Sequence, residues 1–295
     1  KGDAVAIVSP SWGGPSVFPH IYENGLKVLR EWGLEVMEYP TARAGADFLS
    51  QNHRLRAKDI NDAFANKKIM AIFASIGGDD SVRLLPFLNR KIIAENPKII
   101  MGYSDTTTLL VYANLQGFIT FYGPSIMAGF SQMKSLPERF KSHIREMLFE
   151  PKKSYDYQPY GQYCDGYPDW SNQENVGKIK ELKADAGWRF VQGNQKVEGE
   201  LFGGCIEVLE FMKGTDFWPI KNFWDDKILF LETSEDKPSP VQVKYMLRNY
   251  GVQGVFEKVS AVLFGRARDY SAKEKDELDN IIKTIISNEF EKPDL

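Results

Sequence analysis

The sequence predicts an α/β protein of two domains, the larger built on a parallel sheet, and three observations predict it. Short apolar runs alternate with amphipathic segments through the first 150 residues. Two of those runs end in small-residue turns that open a helical pattern. Between residues 151 and 175 the texture changes to Tyr, Pro, Gly, Asp and Ser, and the alternation then resumes. Strands that alternate with helices pack as a parallel sheet covered on both faces.

Element by element, residues 5–8 read as a buried strand, 21–32 as a helix with Ile21, Leu26, Leu29 and Trp32 on one face, and 34–39 as the next strand. The pattern continues with helices at 54–66, 80–88 and 106–116 and strands at 70–75, 98–103 and 119–122. Residues 1–150 form the expected first domain. The aromatic stretch 151–175 is expected to be an ordered crossover rather than a flexible linker, and could cover a site. In the second domain, 176–295, strands are expected at 197–202, 228–232 and 261–264, with helices at 206–212, 240–250 and 272–287.

A length of 295 residues suits two cores better than one. Hydrophobic residues at 43% and charged residues at 26% are ordinary globular values, and no run reaches the roughly 18 apolar residues of a membrane span. A formal charge of −3, spread evenly, gives no footprint for a phosphate backbone, which argues against nucleic acid as a partner. The two cysteines, Cys164 and Cys205, form neither a disulfide framework nor a zinc signature. Cys205, in a Gly-rich apolar stretch, reads as a small buried thiol. The sequence opens on Lys1 with neither Met nor an apolar leader, so a trimmed boundary and a reducing, cytoplasmic setting are the default expectations.

Four places could carry chemistry. Ser104 directly follows a buried strand and precedes a helix, where a sharp turn would push its Oγ into a cleft and aim helical N–H groups at a reacting carbonyl; Gly102 leaves room for the turn. Ser at such a point is also the commonest helix N-cap. Gly77 and Gly78 end another strand and can present bare N–H groups to a phosphate, a carboxylate or an oxyanion, or can simply make a turn. Glu232 closes a strongly apolar strand, followed by Glu235 and Asp236; an acid there could orient a histidine or could be a solvated loop acid. Only His20, His53 and His143 are present, and they read as surface or capping residues. No acid has His or Cys partners at ligand spacing, so no metal is expected, and no cofactor is implied.

Taken in order, Gly2-Asp-Ala-Val-Ala-Ile-Val-Ser-Pro-Ser11, the run from Arg56 to Phe64, Gly77-Gly78, Gly102-Tyr-Ser-Asp-Thr106, Phe121-Tyr-Gly-Pro124, Gly199-Glu-Leu-Phe-Gly-Gly-Cys-Ile-Glu207 and Leu229-Phe-Leu-Glu232 resemble the serine carboxypeptidase family of bacterial L,D-carboxypeptidases and microcin C immunity peptidases. The Gly-Gly-Cys-Ile-Glu form and the aromatics through Trp170 and Gly187-Trp188 look closer to the immunity branch. The resemblance implies a Rossmann-like, flavodoxin-like first domain, a smaller α/β second domain, and a homodimer. It also implies a Ser, His and Glu triad: Ser104 as nucleophile, Glu232 as acid with Glu235 second in line, and backbone N–H groups of Gly78 and Asp105 as oxyanion donors. Gly77, Asp79, Trp170, Trp188 and Glu207 would bind substrate, with Trp170 or Trp188 able to stack on a purine.

Family members carry the histidine in a Phe-Gly-His segment after the last helix and a short strand. This sequence ends at Leu295, where that strand would begin, so truncation is the expected account of the missing base. The implied substrate is a murein tetrapeptide in one branch and an amide joining a peptide or aminoacyl group to a nucleotide-like moiety in the other. A reading of another class is a binding module gripping a phosphate or flavin at the two turns of a doubly wound sheet; a purely structural protein would need both turns buried.

Overall fold

The structure, a computed structural model, describes residues 2–150 and 153–295. It divides into two compact units, Lys1–Trp188 and Arg189–Leu295. The described part of the aromatic stretch, 153–175, falls within the first unit.

In the first unit, β1 (Ala4–Val8), β2 (Glu35–Glu38), β3 (Ile69–Ala74), β4 (Ile99–Gly102) and β5 (Phe121–Tyr122) form one sheet in the order β2-β1-β3-β4-β5. Every pairing is parallel. β1 is buried along its whole length, as a strand covered on both faces must be. The chain reverses its direction of travel across the sheet between β1 and β3, and ligands of such sheets bind outside the strand carboxyl ends at that point. The helix Pro19–Glu31 starts with Pro at its first position, two residues before the expected start, and lays Ile21, Tyr22, Leu26 and Leu29 on the sheet with Phe73 and Phe130.

Residues 81–87 form a 3₁₀ segment, Ser81–Phe87, rather than the expected α-helix. Pro86 lies inside it, and a proline there cannot donate the hydrogen bond an α-helix would need. Short helices at Gly14–Val17, Ala46–Gln51 and Arg90–Glu95 had too few residues for periodicity to reveal them. The aromatic stretch carries a two-residue antiparallel pairing of β6 (Gln162–Tyr163) with β7 (Lys183–Ala184).

The second unit holds a smaller parallel sheet, β10 (Ala261–Phe264), β9 (Lys227–Glu232) and β8 (Glu200–Cys205), with β9 in the middle. β8 begins three residues later than expected and runs on through Gly203 and Gly204 to Cys205, past the expected end at residue 202. Gly203 sits at φ +156°, and a Cβ there would lie 1.7 Å from the Phe230 carbonyl oxygen. Only glycine lets the two backbones approach so closely. Capping boxes at Ser239 and Ser271 start the helices Pro240–Val252 and Ala272–Lys283. The last helix was expected to reach residue 287; its α-helical part stops at Lys283 and Thr284–Glu289 continues as a π-helical segment.

Candidate functional site

Ser104 lies where β4 ends, in a 3₁₀ turn Ser104–Thr106 that leads into the helix Thr107–Asn114. Its φ is +57°, a left-handed backbone that costs an L-residue on the order of 1–2 kcal/mol. The turn is held shut from several sides. The Ser104 N–H donates to the Tyr122 hydroxyl at 3.0 Å, and Thr107 Oγ1 donates to the Ser104 carbonyl at 2.6 Å. A Cβ on Gly102 would sit 2.7 Å from Thr106 Cγ2, so glycine is required there. The N-cap position of the helix is Thr106, whose side chain makes no capping bond, so Ser104 does not occupy the capping position.

The loop after β3 comes up against this turn. A Cβ on Gly77 would lie 3.0 Å from Ser104 Oγ and 3.4 Å from the Asp105 nitrogen. Gly77 and its neighbour Gly78, at φ +150°, are therefore part of the same cluster as Ser104 and Asp105. Gly77 is buried while Gly78 and Asp79 are exposed, so the loop's backbone passes from the core to the surface beside the serine. Asp105 is fully buried; its Oδ2 accepts the Ser81 N–H at 2.8 Å and its carbonyl accepts the Ser81 hydroxyl at 2.7 Å. Burial pushes its carboxyl above the usual range, opposed by hydrogen bonds from Ser11 and Ser81.

Sequence reasoning missed Arg56 and Asp80, which brace this cluster. The Arg56 side chain is wholly buried and forks onto Asp80 at 2.6 and 3.0 Å, while also donating to the Pro10 carbonyl at 2.8 Å. Arg83 adds a second contact to Asp80 at 2.9 Å. A signal was available: Arg56 shares a helix face with Ile60 and Ala63, both buried, so a cation stood at a core position.

Each of the three imidazoles is half-buried and has a partner, and His53 stands at the start of its helix as expected. His20 Nε2 lies 2.7 Å from the Trp170 carbonyl, and His53 Nδ1 lies 3.2 Å from Arg83. His143 is half-buried, hydrogen-bonded to Tyr160 and stacked on Tyr155 at 4.7 Å, and burial lowers its pKa. Trp170 packs edge-on to Phe18 at 5.8 Å and against Tyr167 at 5.1 Å, whose hydroxyl reaches that of Tyr103 at 2.5 Å. The aromatic stretch is thereby tied to the residue before Ser104. Trp188 is 70% exposed.

In the second unit, Glu232 ends β9 in register with Cys205. Half-buried Glu232 contrasts with exposed Glu235 on the following loop. A Cβ on Gly265 would come within 2.9 Å of Glu232 Cβ, so the turn after β10 lies directly on the acid. Glu207, in the first turn of the helix Ile206–Met212, accepts the Ser234 N–H at 3.1 Å and its hydroxyl at 2.7 Å, and the Cys205 thiol at 3.4 Å. It clamps the loop that follows Glu232. Cys205 is buried, as expected, and burial together with the charges of Glu232 and Glu207 pushes its thiol far above its ordinary pKa. Among the described residues no cluster of His, Cys, Asp and Glu could hold a metal ion.

Residues 5–123 match the LD-carboxypeptidase N-terminal domain and residues 198–295 the LD-carboxypeptidase C-terminal domain. The chain is 30% identical over 268 residues to the Microcin C7 self-immunity protein MccF of Escherichia coli, covering 90% of this chain and 76% of that one. It is 25% identical over 265 residues to the "Probable murein peptide carboxypeptidase" of Bacillus subtilis, covering 89% and 72%. Among solved structures, an MccF-like protein from Streptococcus pneumoniae in complex with AMP superposes with a TM-score of 0.87 at 28% identity, over 97% of this chain and 88% of that one. MccF in complex with glutamyl sulfamoyl guanosine gives 0.81 at 28% identity, over 96% and 84%. Two domain matches in order, with relatives aligned along most of their length, make this chain a member of the LD-carboxypeptidase family.

Proposed function

We propose that the chain is a serine-type hydrolase of that family, with Ser104 as nucleophile. The observation that carries the proposal is the backbone of Ser104 itself: a non-glycine residue at φ +57° on a strand-to-helix turn, with the Gly77 backbone against its Oγ. Strain of this kind persists only where the surroundings enforce it, and a nucleophile's turn is one such place.

In this reading an imidazole takes the Ser104 proton as Oγ attacks the carbonyl, and Glu232 orients that imidazole and stabilises its charged form. Glu232 is preferred over Glu235 because it ends a strand and is partly withdrawn from water, where a carboxylate acts more strongly on its partner. His20, His53 and His143 already have partners and are not assigned as the base. The N–H groups of Gly78 and Asp105 receive the developing oxyanion; one such donor is typically worth about 10²–10³ in rate. Water then hydrolyses the acyl-enzyme.

For substrate we propose an amide between a peptide or aminoacyl group and a nucleotide-like moiety. Support comes from the relatives, since MccF structures hold glutamyl sulfamoyl guanosine and aspartyl sulfamoyl adenosine. Trp188, exposed, is the better placed of the two tryptophans to stack on a base; Trp170 already spends its ring on Phe18 and Tyr167. Asp79 would face the substrate's polar end. A cytoplasmic homodimer completes the reading, and sedimentation tests the dimer.

The deciding experiment is intact mass spectrometry of the full-length natural protein with a serine-directed fluorophosphonate. One adduct in wild type that vanishes in Ser104→Ala is expected, with hydrolysis of an aminoacyl-nucleotide amide exceeding that of a murein tetrapeptide. A wild type that takes no adduct would overturn the assignment of Ser104.

A further inference from the structure

The loops after β1 and β3 meet around one side chain that the mechanism has not used. Ser11 is 4% exposed, and its Oγ accepts the N–H of Asp79 at 3.0 Å and of Asp80 at 3.3 Å. A Cβ on Gly78 would fall 2.1 Å from that oxygen, so the Gly78 backbone rests directly on it. With N–H groups on both lone pairs, the hydroxyl has one proton left to give. The loop held in this way lies against the Ser104 turn, where a Cβ on Gly77 would fall 3.0 Å from Ser104 Oγ and 3.4 Å from the Asp105 nitrogen. Main-chain bonding from Trp12 N–H to the Gly77 carbonyl at 3.1 Å joins the same two loops one residue along. Arg56 holds Pro10 and Asp80 from behind.

We propose that Ser11 is a positioning residue for the oxyanion hole: its hydroxyl fixes the 77–80 loop where it packs on the 104–105 turn and so sets the gap between the N–H groups of Gly78 and Asp105. The inference rests on the reading of those two groups as oxyanion donors to the Ser104 reaction. Its physical content is the precision that such a hole demands. Two donors carried on separate loops have no covalent reason to keep their spacing, and a misplacement of about 1 Å can cost 10²-fold in rate. Replacing the hydroxyl by hydrogen leaves two N–H groups without an acceptor and frees the loop to drift.

The test compares full-length wild type, Ser11→Ala and Ser11→Cys for fluorophosphonate labelling of Ser104 and for kcat and KM on an aminoacyl-nucleotide amide. Ser11→Ala is expected to keep its fold by circular dichroism and its KM within about threefold, while labelling rate and kcat fall by about 10²-fold. Ser11→Cys, whose sulfur is a weak acceptor of nearly the right size, should fall between the two. Labelling and kcat within about threefold of wild type in Ser11→Ala would overturn the inference, as would a KM that rises in step with the loss. If Ser11→Ala does not fold, Ser11→Cys is read by the same criteria. A wild type unlabelled at Ser104 overturns the nucleophile assignment and this inference together; a labelled wild type with an unaffected Ser11 variant overturns this inference alone.

Discussion

The Tyr122 hydroxyl at the end of β5 accepts the backbone N–H of Ser104 at the end of β4 over 3.0 Å. Gly102 pairs with Tyr122 in the parallel register, so the bond crosses between adjacent strand ends and holds a backbone already in the left-handed region. Tyr122→Phe removes the acceptor and leaves the N–H partly buried. Stability should fall by about 1–2 kcal/mol in urea denaturation. Labelling of Ser104 should slow by about tenfold, because the turn that aims Oγ is loosened. A variant equal to wild type in both would take Tyr122 out of the support of this turn.

Gly77→Ala probes the same turn from the other side. The new methyl carbon would stand 2.9 Å from Ser104 Cβ and 3.0 Å from Oγ, closer than such contacts normally come, so the serine must shift by a few tenths of an ångström. Labelling should drop by at least about tenfold while thermal stability changes little, since the chain elsewhere is untouched. A large loss of melting temperature with residual labelling intact would place Gly77 in the fold rather than in the chemistry.

Asp105 predicts a pH dependence of stability. Burial holds its carboxyl above the ordinary value of 3.8 despite hydrogen bonds from Ser11 and Ser81. The native state therefore binds this proton more tightly than the unfolded chain does. The group favours folding most at pH values below the unfolded pKa, and that advantage is lost as pH rises through the folded one. Asn at position 105 can still accept the Ser81 N–H without carrying charge. Asp105→Asn should accordingly gain on wild type, by a few degrees in melting temperature, as pH is raised from about 4 to neutrality. A difference between the two that stays flat with pH would mean that ionising this carboxyl costs the fold nothing.

The first sheet was legible in the sequence because its strands are buried on both faces, and an uninterrupted apolar run such as 4–8 between turn residues has few other readings. The turn at Ser104 was legible for the same reason. What escaped depended on partners distant in the chain. The bond between Ser104 and Tyr122 spans 18 positions, and that from Asp79 to Ser11 spans 68, so no local pattern contains either. His143 looked solvent-facing within a polar helix; the tyrosines at 155, 157 and 160 that enclose it come from a later segment. The strand expected to end at residue 202 runs on through Gly203 and Gly204, because glycine suits both a turn and a close approach of two strands, and only the neighbour's position decides between them.

Lys213 supplies a prediction independent of the catalytic reading. Its side chain is 7% exposed and paired with Glu210, and its ammonium lies 3.5 Å from the centre of the Tyr250 ring. Burial lowers its pKa to about 8, against the pull of Glu210. The unfolded chain, with the ordinary value of 10.5, thus holds this proton more tightly than the native state. Between about pH 8 and 10.5 the penalty for burying the charge is relieved, and native stability gains on the order of 2–3 kcal/mol from this group as pH rises. Lys213→Met has no proton to lose and cannot share the gain. The stability of wild type relative to Lys213→Met, measured by urea denaturation at pH 7.5 and pH 10, should therefore increase with pH; a constant difference would mean that the amine stays charged in the fold throughout, with Glu210 and the Tyr250 face compensating its burial.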